Sequence, residues 1–258
     1  MTPAALAPGP LAVLSALVFF AGVVDALAGG GGLITLPAYL AFGLNPLLVL
    51  GTNKLASSIG TVASCVNYQR RHRLDLRGLA PAAAAAVVGS WLGARAATRL
   101  GPEAIRALLL AALPVLTVFL LSRRDFGAVD DSGRHKPAAL KRRGSLISFP
   151  IGVYDGFFGP GTGTFFALSL VRFCGYELLG ATTRAKFLNL VTNLAALAAF
   201  AYAGRVDWRL GLSMGAASLC GHYTGSRLGL RGGARTIRPV VAAVCAALFA
   251  KLLFDALR

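Results

Sequence analysis

The sequence predicts an all-α polytopic membrane protein that contains two homologous repeats, and three observations lead to that fold class. The 258 residues are 56% hydrophobic and only 14% charged, with a mean hydropathy of +0.67, whereas soluble domains carry about a quarter charged residues. Some eight to ten apolar segments follow one another, and several are long enough, with their flanks, for the roughly 20 residues that a membrane-spanning helix needs. The third observation is that the second half of the chain resembles the first.

The resemblance between the halves lies in glycines and charges, which shared apolar composition does not explain. An offset of 130 pairs Asp25 with Asp155 and Gly29 with Gly159; after two inserted residues, an offset of 132 pairs Lys54 with Lys186, Arg73 with Arg205, Gly89 with Gly221 and Gly93 with Gly225. We read this pattern as a tandem duplication. It predicts a single membrane domain over 1–258, with repeat one at 11–121, a cytoplasmic linker at 122–144 and repeat two at 145–257.

Each repeat divides into five apolar segments. We place them at about 11–28, 33–43, 47–68, 79–98 and 105–121, and at about 145–158, 164–175, 185–203, 210–226 and 237–256. The second segment of each repeat is too short to cross the membrane, because eleven helical residues extend only about 16 Å and the hydrocarbon core is about 30 Å thick. We therefore expect it to be a half-helix or a re-entrant element that begins at a glycine cluster.

Basic residues lie in short clusters between the apolar segments, mainly at 70–77 and 123–143. This placement is typical of cytoplasmic loops that face anionic lipids. The net charge of +16 does not indicate nucleic-acid binding, because no nucleic-acid-binding motif accompanies the basic clusters. Counting the basic loops on each side gives the same result for inverted and for parallel repeats. We favour inverted repeats, because binding sites made of broken helices near the midplane commonly arise in that way.

The two glycine clusters are candidate binding elements. They read DALAGGGGLITLP from Asp25 and DGFFGPGTGTFF from Asp155. A helix start exposes unpaired N–H groups and the positive end of the helix dipole, and glycine lets an anion approach that backbone closely. Hydroxyl, amide and ammonium groups nearby complete the candidate site for a small anion: Gly29, Gly30, Gly31, Gly32, Thr35, Thr52, Asn53 and Lys54 in repeat one, and Gly159, Gly161, Thr162, Gly163, Thr164, Lys186, Asn189 and Asn193 in repeat two.

Other interpretations of the same residues stay open. Glycines in membrane helices often serve only close packing, which is the interpretation we prefer for the pairs Gly89/Gly93 and Gly221/Gly225. The two lysines could pair with Asp25 and Asp155 or extend to the membrane surface, and the asparagines could link helices. The two aspartates could brace the glycine turns by accepting bonds from backbone N–H groups, or take up protons and couple transport to a proton gradient.

The sequence gives no indication of catalysis or of a bound cofactor. It contains no HExxH or Walker motif. The four cysteines have no CxxC spacing and the three histidines are scattered, so we predict neither an enzyme nor a metal site, and no cofactor.

The stretch AGVVDALAGGGGLITLPAYLAFGLNPLLVLGTNKLASSIGT, with YQRRHRLDLRGL after it, resembles the sulfite exporter TauE/SafE-type membrane permeases (the TSUP family). GVYDGFFGPGTGTFF and RAKFLNLVTNLAALAAFAYAGRVDW resemble the second half of the same family. The resemblance implies a two-repeat permease of the bacterial inner membrane that moves sulfite, sulfonates or related small anions. It also implies that function lies at 29–32, 52–54, 159–163 and 186–189.

Together these arguments predict a secondary transporter of a small anion, in first place a sulfur oxyanion or an organosulfonate such as sulfite, bound near the bilayer midplane. The alternatives are an anion channel and a permease for other small organic anions such as carboxylates. The expected partners are the anionic solute and anionic lipids at the basic loops, and a homodimer is left open.

Overall fold

The computed structural model describes residues 8–108, 111 and 130–231. Over those residues the chain is helical, with turns and short connections and without any strand. Most of the fifth segment predicted for repeat one, and all of the one predicted for repeat two, lie outside the described residues.

Two successive groups of four helices make up the described fold. The first group is α1 (Pro8–Ala28), α2 (Gly32–Ala41), α3 (Pro46–Arg71) and α4 (Leu76–Ala97), followed by helical residues 102–108. A 3-10 turn at Ser132–Arg134 precedes the second group, which is α5 (Pro137–Phe157), α6 (Thr162–Cys174), α7 (Leu178–Tyr202) and α8 (Trp208–Leu230). In both groups a short second helix, of 10 residues in α2 and 13 in α6, follows a first helix of 21 residues.

Local sequence explains where several helices begin. Proline occupies the first turn of both α3 and α5, where its fixed φ suits the helix and its missing N–H costs no hydrogen bond. Asn45 caps α3, since its Oδ1 accepts from the N–H of Leu47 at 2.9 Å. The predicted linker is too long at its C-terminal end: α5 begins at Pro137 and not near 145, so the basic run 141–143 belongs to its first two turns. Long basic side chains tolerate such a place because their charged ends extend into water.

Within the part of the chain that the structure describes, three helices, α1, α4 and α7, are long and apolar enough to cross a membrane by length and composition. Helices α2 and α6 are apolar but shorter, too short to span about 30 Å of hydrocarbon. Large apolar side chains are exposed on the outside of the fold, among them Val13, Val88, Leu92, Leu146 and Leu212. Such a surface suits lipid and not water.

Contacts between helices define their relative directions. Helix α8 runs parallel to α1 and to α3, because contacts advance together along each pair: Phe19–Gly221, Val23–Gly225 and Leu27–Gly229 for α1, and Leu55–Gly211, Ile59–Gly215 and Tyr68–Gly229 for α3. Helix α4 runs parallel to α5 and to α7, through Ala82–Gly144, Gly89–Phe149, Gly93–Val153, Ser90–Thr192 and Arg95–Tyr202.

Helix α3 runs antiparallel to α7, because contacts along this pair advance in opposite senses. Gly51 lies against Phe200, Lys54 bonds Asn193, and His72 at the end of α3 lies near Gly180. Helices α1, α3 and α8 therefore point one way, and α4, α5 and α7 point the other way.

The four glycines with GxxxG spacing lie where helix backbones touch. A Cβ added at Gly93 would lie 2.8 Å from the backbone nitrogen of Phe157 in α5, and one added at Gly225 would lie 2.7 Å from Val23 Cα in α1. A Cβ added at Gly89 would overlap the carbonyl oxygen of Phe149, and one added at Gly221 would overlap the carbonyl oxygen of Phe19. These contacts are the close packing that we preferred for these positions.

Candidate functional site

The first helix break lies between α1 and α2. Helix α1 ends at Ala28, Gly29 has a φ of +75°, and α2 begins at Gly32. Asp25 braces this turn from the last turns of α1, since its Oδ1 accepts from the N–H of Gly31 at 3.0 Å and its backbone oxygen accepts from the N–H of Gly29 at 2.7 Å. The positive φ explains a glycine at position 29, because other residues rarely adopt it.

The second break, between α5 and α6, is held together by other groups. Gly159 and Gly161 have φ values of +97° and +80°. Thr162 Oγ1 donates to the carbonyl oxygen of Gly159 at 2.7 Å, and Tyr154 Oη donates to the carbonyl oxygen of Pro160 at 2.6 Å. Asp155, which matches Asp25 in sequence, accepts no bond from this turn among the described residues. Asp25 therefore braces its glycine turn through hydrogen bonds, whereas Asp155 does not brace the turn that follows it.

The two breaks lie against each other. Gly29 contacts the backbone of Gly163, and Thr164 Oγ1 donates to the carbonyl oxygen of Ala28. A Cβ added at Gly32 would lie 3.1 Å from Pro160 Cα. The N-terminal ends of the half-length helices α2 and α6 thus meet inside the protein, and a larger residue at any of these glycines would separate them.

Two buried lysines pair crosswise with the two aspartates. Lys54 of α3 lies 2.8 Å from Asp155 Oδ2 at the end of α5, and the two side chains are 4% and 1% exposed. Lys186 of α7 lies 3.4 Å from Asp25 Oδ2 and also donates to the Asp25 backbone oxygen. Each pair joins one helix group to the other. The interpretation in which the lysines pair with the aspartates describes this conformation, and the four charges cancel.

Amide groups surround these pairs. Lys54 Nζ also donates to Asn193 Oδ1 at 2.9 Å, and Asn193 Nδ2 donates to Asn189 Oδ1 at 3.3 Å. Thr35 Oγ1 donates to Asn53 Oδ1 at 2.6 Å. Asn193 therefore links α7 to α3, as the helix-linking interpretation of the asparagines supposed.

A small polar cavity lies at this junction. Its walls come from both breaks and from α3 and α7: Asp25, Gly29, Gly32, Asn53, Lys54, Ser57, Asp155, Gly159, Gly163, Asn189 and Asn193. The space open to the centre of a water molecule is about 20 Å³, enough for roughly one water. This conformation is therefore closed to an oxyanion.

Eight of the sixteen predicted binding residues line this cavity, and eight do not. Gly30, Gly31 and Gly161 belong to the turns, and Lys186 lies behind Asp25. The four threonines use their hydroxyl groups elsewhere: Thr35, Thr162 and Thr164 donate to protein oxygens as described above, and Thr52 Oγ1 accepts from the N–H of Asp207 at 3.0 Å. The expected role of Thr35, Thr162 and Thr164 as donors to a ligand is replaced in this conformation by bonds that hold the turns and the helices together.

Two residues of the site escaped the sequence analysis. Ser57 lines the cavity, and its place one turn after Lys54 on the same helix face was a usable signal. His222 of α8 is 2% exposed, and its Nε2 lies 3.1 Å from Asp25 Oδ2. The repeat offset pairs His222 with Ser90, so the duplication gave no signal for this histidine.

The residues that the structure describes contain no group of three His, Cys, Asp or Glu side chains that could hold a metal ion. The chemistry available at the junction is therefore that of buried ammonium, carboxylate, imidazole and amide groups, together with the N–H groups of two helix starts. Such a set can bind a small charged solute and can exchange protons.

Comparison with known proteins relates this chain to membrane transporters. The profile of the family "Sulfite exporter TauE/SafE" matches residues 14–252. A probable membrane transporter protein, ORF9, from Sinorhizobium sp. is 39% identical over 246 residues, which cover 95% of this chain and 93% of the relative. The probable membrane transporter protein YfcA of Escherichia coli K12 is 36% identical over 252 residues, 97% of this chain and 92% of the relative.

A probable membrane transporter protein from Haemophilus influenzae is 34% identical over 245 residues, 95% of each chain. No solved structure matches the chain. Because the family profile and these relatives both extend over nearly the whole sequence, the chain belongs to the sulfite exporter TauE/SafE family.

Proposed function

We propose that this protein is a secondary transporter of a small anion, in first place a sulfur oxyanion or an organosulfonate such as sulfite, and that the anion binds where the N-termini of α2 and α6 meet. The observation that carries the proposal is the polar cavity at this junction, with two helix starts and Lys54 at its wall. The relatives are named as membrane transporters, and the family is named for sulfite export.

The same proposal includes an inverted duplication. Helices that occupy equivalent places in the two groups point in opposite directions: α1 against α5, α3 against α7, and α4 against α8. Transporters with inverted repeats commonly bind substrate near the midplane between discontinuous helices whose N-termini face an anionic group. One side of the membrane then carries the basic C-terminal ends of α3 and α8 and the basic first turns of α5. The positive-inside rule assigns that side to the cytoplasm, for a protein of the bacterial inner membrane.

An anion must replace a carboxylate at a lysine in order to bind here. In the closed conformation each lysine already has an aspartate partner, so the described groups that the junction offers a ligand are the helix starts, the Ser57 hydroxyl and the amides of Asn53 and Asn189. Movement of one helix group against the other would widen the cavity and expose a lysine to the solute. We infer that this exchange of partners accompanies opening.

The proposal is tested by flux into proteoliposomes that contain the purified protein. Sulfite, thiosulfate, methanesulfonate and acetate are supplied outside, and the same anion is loaded inside to measure counterflow. Saturable uptake that is accelerated by internal anion supports a transporter, whereas ohmic current without counterflow supports a channel. Uptake of cations alone would refute anion transport.

The site is tested with lysine variants. We expect Lys54→Ala with Lys186→Ala to lower the apparent affinity for the transported anion at least tenfold, because each lysine supplies a full charge in a low-dielectric site. Lys141→Ala, at an exposed position in α5, is the matched control and should leave flux unchanged. Unchanged affinity in the double variant would exclude these lysines from the site.

A further inference from the structure

The buried charges of the junction sum to zero unless His222 is protonated. Lys54 and Asp155 cancel, as do Lys186 and Asp25. A buried anion without a counter-charge is strongly disfavoured in a low-dielectric interior. His222, which is almost fully buried and touches Asp25 Oδ2 beside Lys186, is the group that can add one positive charge.

The groups around His222 can form hydrogen bonds with both the neutral and the protonated imidazole. Its Nε2 faces the Asp25 carboxylate at 3.1 Å, so Nε2 carries a proton and donates it. Its Nδ1 lies 3.0 Å from the carbonyl oxygen of Ser218 and 3.3 Å from the Ser218 hydroxyl oxygen. A protonated Nδ1 donates to the carbonyl oxygen, and a deprotonated Nδ1 accepts from the hydroxyl group, since a hydroxyl can act either way.

The ionisable groups that face this histidine are few. From α1 it meets Asp25, and from α7 Lys186 lies across that carboxylate. Helix α3 meets the imidazole at Gly60. The ionisable side chains of that helix include Lys54, which pairs with Asp155, Cys65, and Tyr68, whose Oη donates to the Ala26 carbonyl oxygen at 3.0 Å. Arg70 and Arg71 lie in the last turn of α3. No hydrogen bond joins His222 to a side chain of α3, so Asp25 and Ser218 are its hydrogen-bond partners among the described residues.

We propose that His222 is the proton-coupling residue of this transporter: a proton bound at Nδ1 supplies the positive charge that an entering anion requires, so that one proton and one univalent anion move together. This proposal rests on the proposed anion transport. The step is balanced, because a proton from solution joins the Nδ1 lone pair and Asp25 then faces two cations. When opening exposes Lys186, the anion accepts the ammonium hydrogen bond that Lys186 otherwise gives to Asp25. Release of the anion and deprotonation of Nδ1 restore the neutral cluster.

The asymmetry of the two halves supports this assignment. The residue that matches His222 is Ser90, whose Oγ donates to the Thr192 carbonyl oxygen at 2.7 Å and not to Asp155. Among the described residues Asp155 therefore pairs with Lys54 and no histidine, so this half of the junction has no imidazole that could add a charge. A single titratable half gives one proton for each transport cycle.

The test measures anion and proton movement in the same proteoliposomes. Methanesulfonate is the main probe because its charge does not change over the pH range used, and a pH-sensitive dye reports luminal pH. At one-to-one coupling, an inward gradient of one pH unit should drive about tenfold accumulation, since a tenfold ratio and one pH unit are equal in free energy. An anion gradient should conversely acidify the lumen.

Variants at position 222 separate proton coupling from transport. His222→Gln keeps a donor toward Asp25 and should abolish both accumulation and luminal acidification, leaving slow exchange that does not vary with pH. His222→Lys supplies a fixed charge and should exchange anion without proton movement. His72→Gln, at a half-buried histidine outside the junction, is the control and should behave as wild type.

A smaller substitution tests the same proposal in case His222→Gln does not fold. Ser218→Ala removes only the hydroxyl that holds neutral His222, so the midpoint of the pH profile of flux should move upward. Wild-type-like accumulation in His222→Gln, or an unmoved or lowered midpoint in Ser218→Ala, would overturn the coupling proposal. Absence of methanesulfonate and sulfite counterflow in the wild type would instead overturn the proposed function.

Discussion

At the scale of single residues, the junction depends on charges that are buried only because they are paired. Of the two crosswise pairs, Lys54 and Asp155 are the more deeply buried, with 4% and 1% of their side chains exposed. A buried ion pair is a weak source of net stability, but removing one partner leaves an uncompensated charge and typically costs about 3–5 kcal/mol. Conserving the charge balance therefore matters more than conserving either residue.

We accordingly expect Lys54→Ala to destabilise the protein by about 3 kcal/mol, because Asp155 loses its counter-charge. The double variant Lys54→Met, Asp155→Leu should recover most of that loss, since it removes both charges and keeps the volume. Thermal unfolding in detergent, followed by tryptophan fluorescence, measures both effects. A double variant that is less stable than Lys54→Ala would contradict this account of the pair.

At the scale of elements, glycines allow helices to approach where no side chain fits. The two GxxxG pairs contact the backbones of α5 and α1, and the glycines of the breaks contact each other. Without a hydrophobic driving force between helices in lipid, such close van der Waals packing is a main source of helix association. The same residue type thus serves two purposes in this chain, close helix packing and interruption of the helix.

Substitution by alanine should reveal this packing. We expect Gly93→Ala to destabilise the fold by about 1–3 kcal/mol, because an added Cβ forces α4 away from α5. Gly101→Ala is the matched control, since nothing lies within 4 Å of a Cβ added there. Detergent unfolding curves of the two variants make the comparison, and equal stability would mean that α4 and α5 are not closely packed.

At the scale of the whole molecule, helices of each group pack against helices of the other group. Helix α1 of the first group packs on α8 of the second, α5 of the second packs on α4 of the first, and both ion pairs cross between groups. Neither group encloses the junction alone. Relative movement of the two groups would therefore open the cavity and break the crosswise pairs in the same step.

The proposed inverted arrangement places the connection after α3 and the connection after α7 on opposite sides of the membrane. In a variant without native cysteines, Arg73→Cys and Ala203→Cys, both exposed in the structure, should react with an impermeant thiol reagent from opposite sides. We expect Ala203→Cys to react in intact cells and Arg73→Cys only after permeabilisation, because the basic loop faces the cytoplasm. Labelling of both from one side would support parallel repeats.

The sequence by itself determined the helical membrane class and the positions of most helices, because composition, apolar segment length and first-turn prolines act locally. It also singled out the glycine runs where α1 and α5 end, since glycine is costly inside a helix. Only the tertiary structure decided which lysine meets which aspartate, that His222 joins Asp25, and which way each helix points. Those facts depend on packing between residues more than a hundred positions apart. Local periodicity carries no information about such contacts, and the count of basic loop residues is the same for inverted and for parallel repeats.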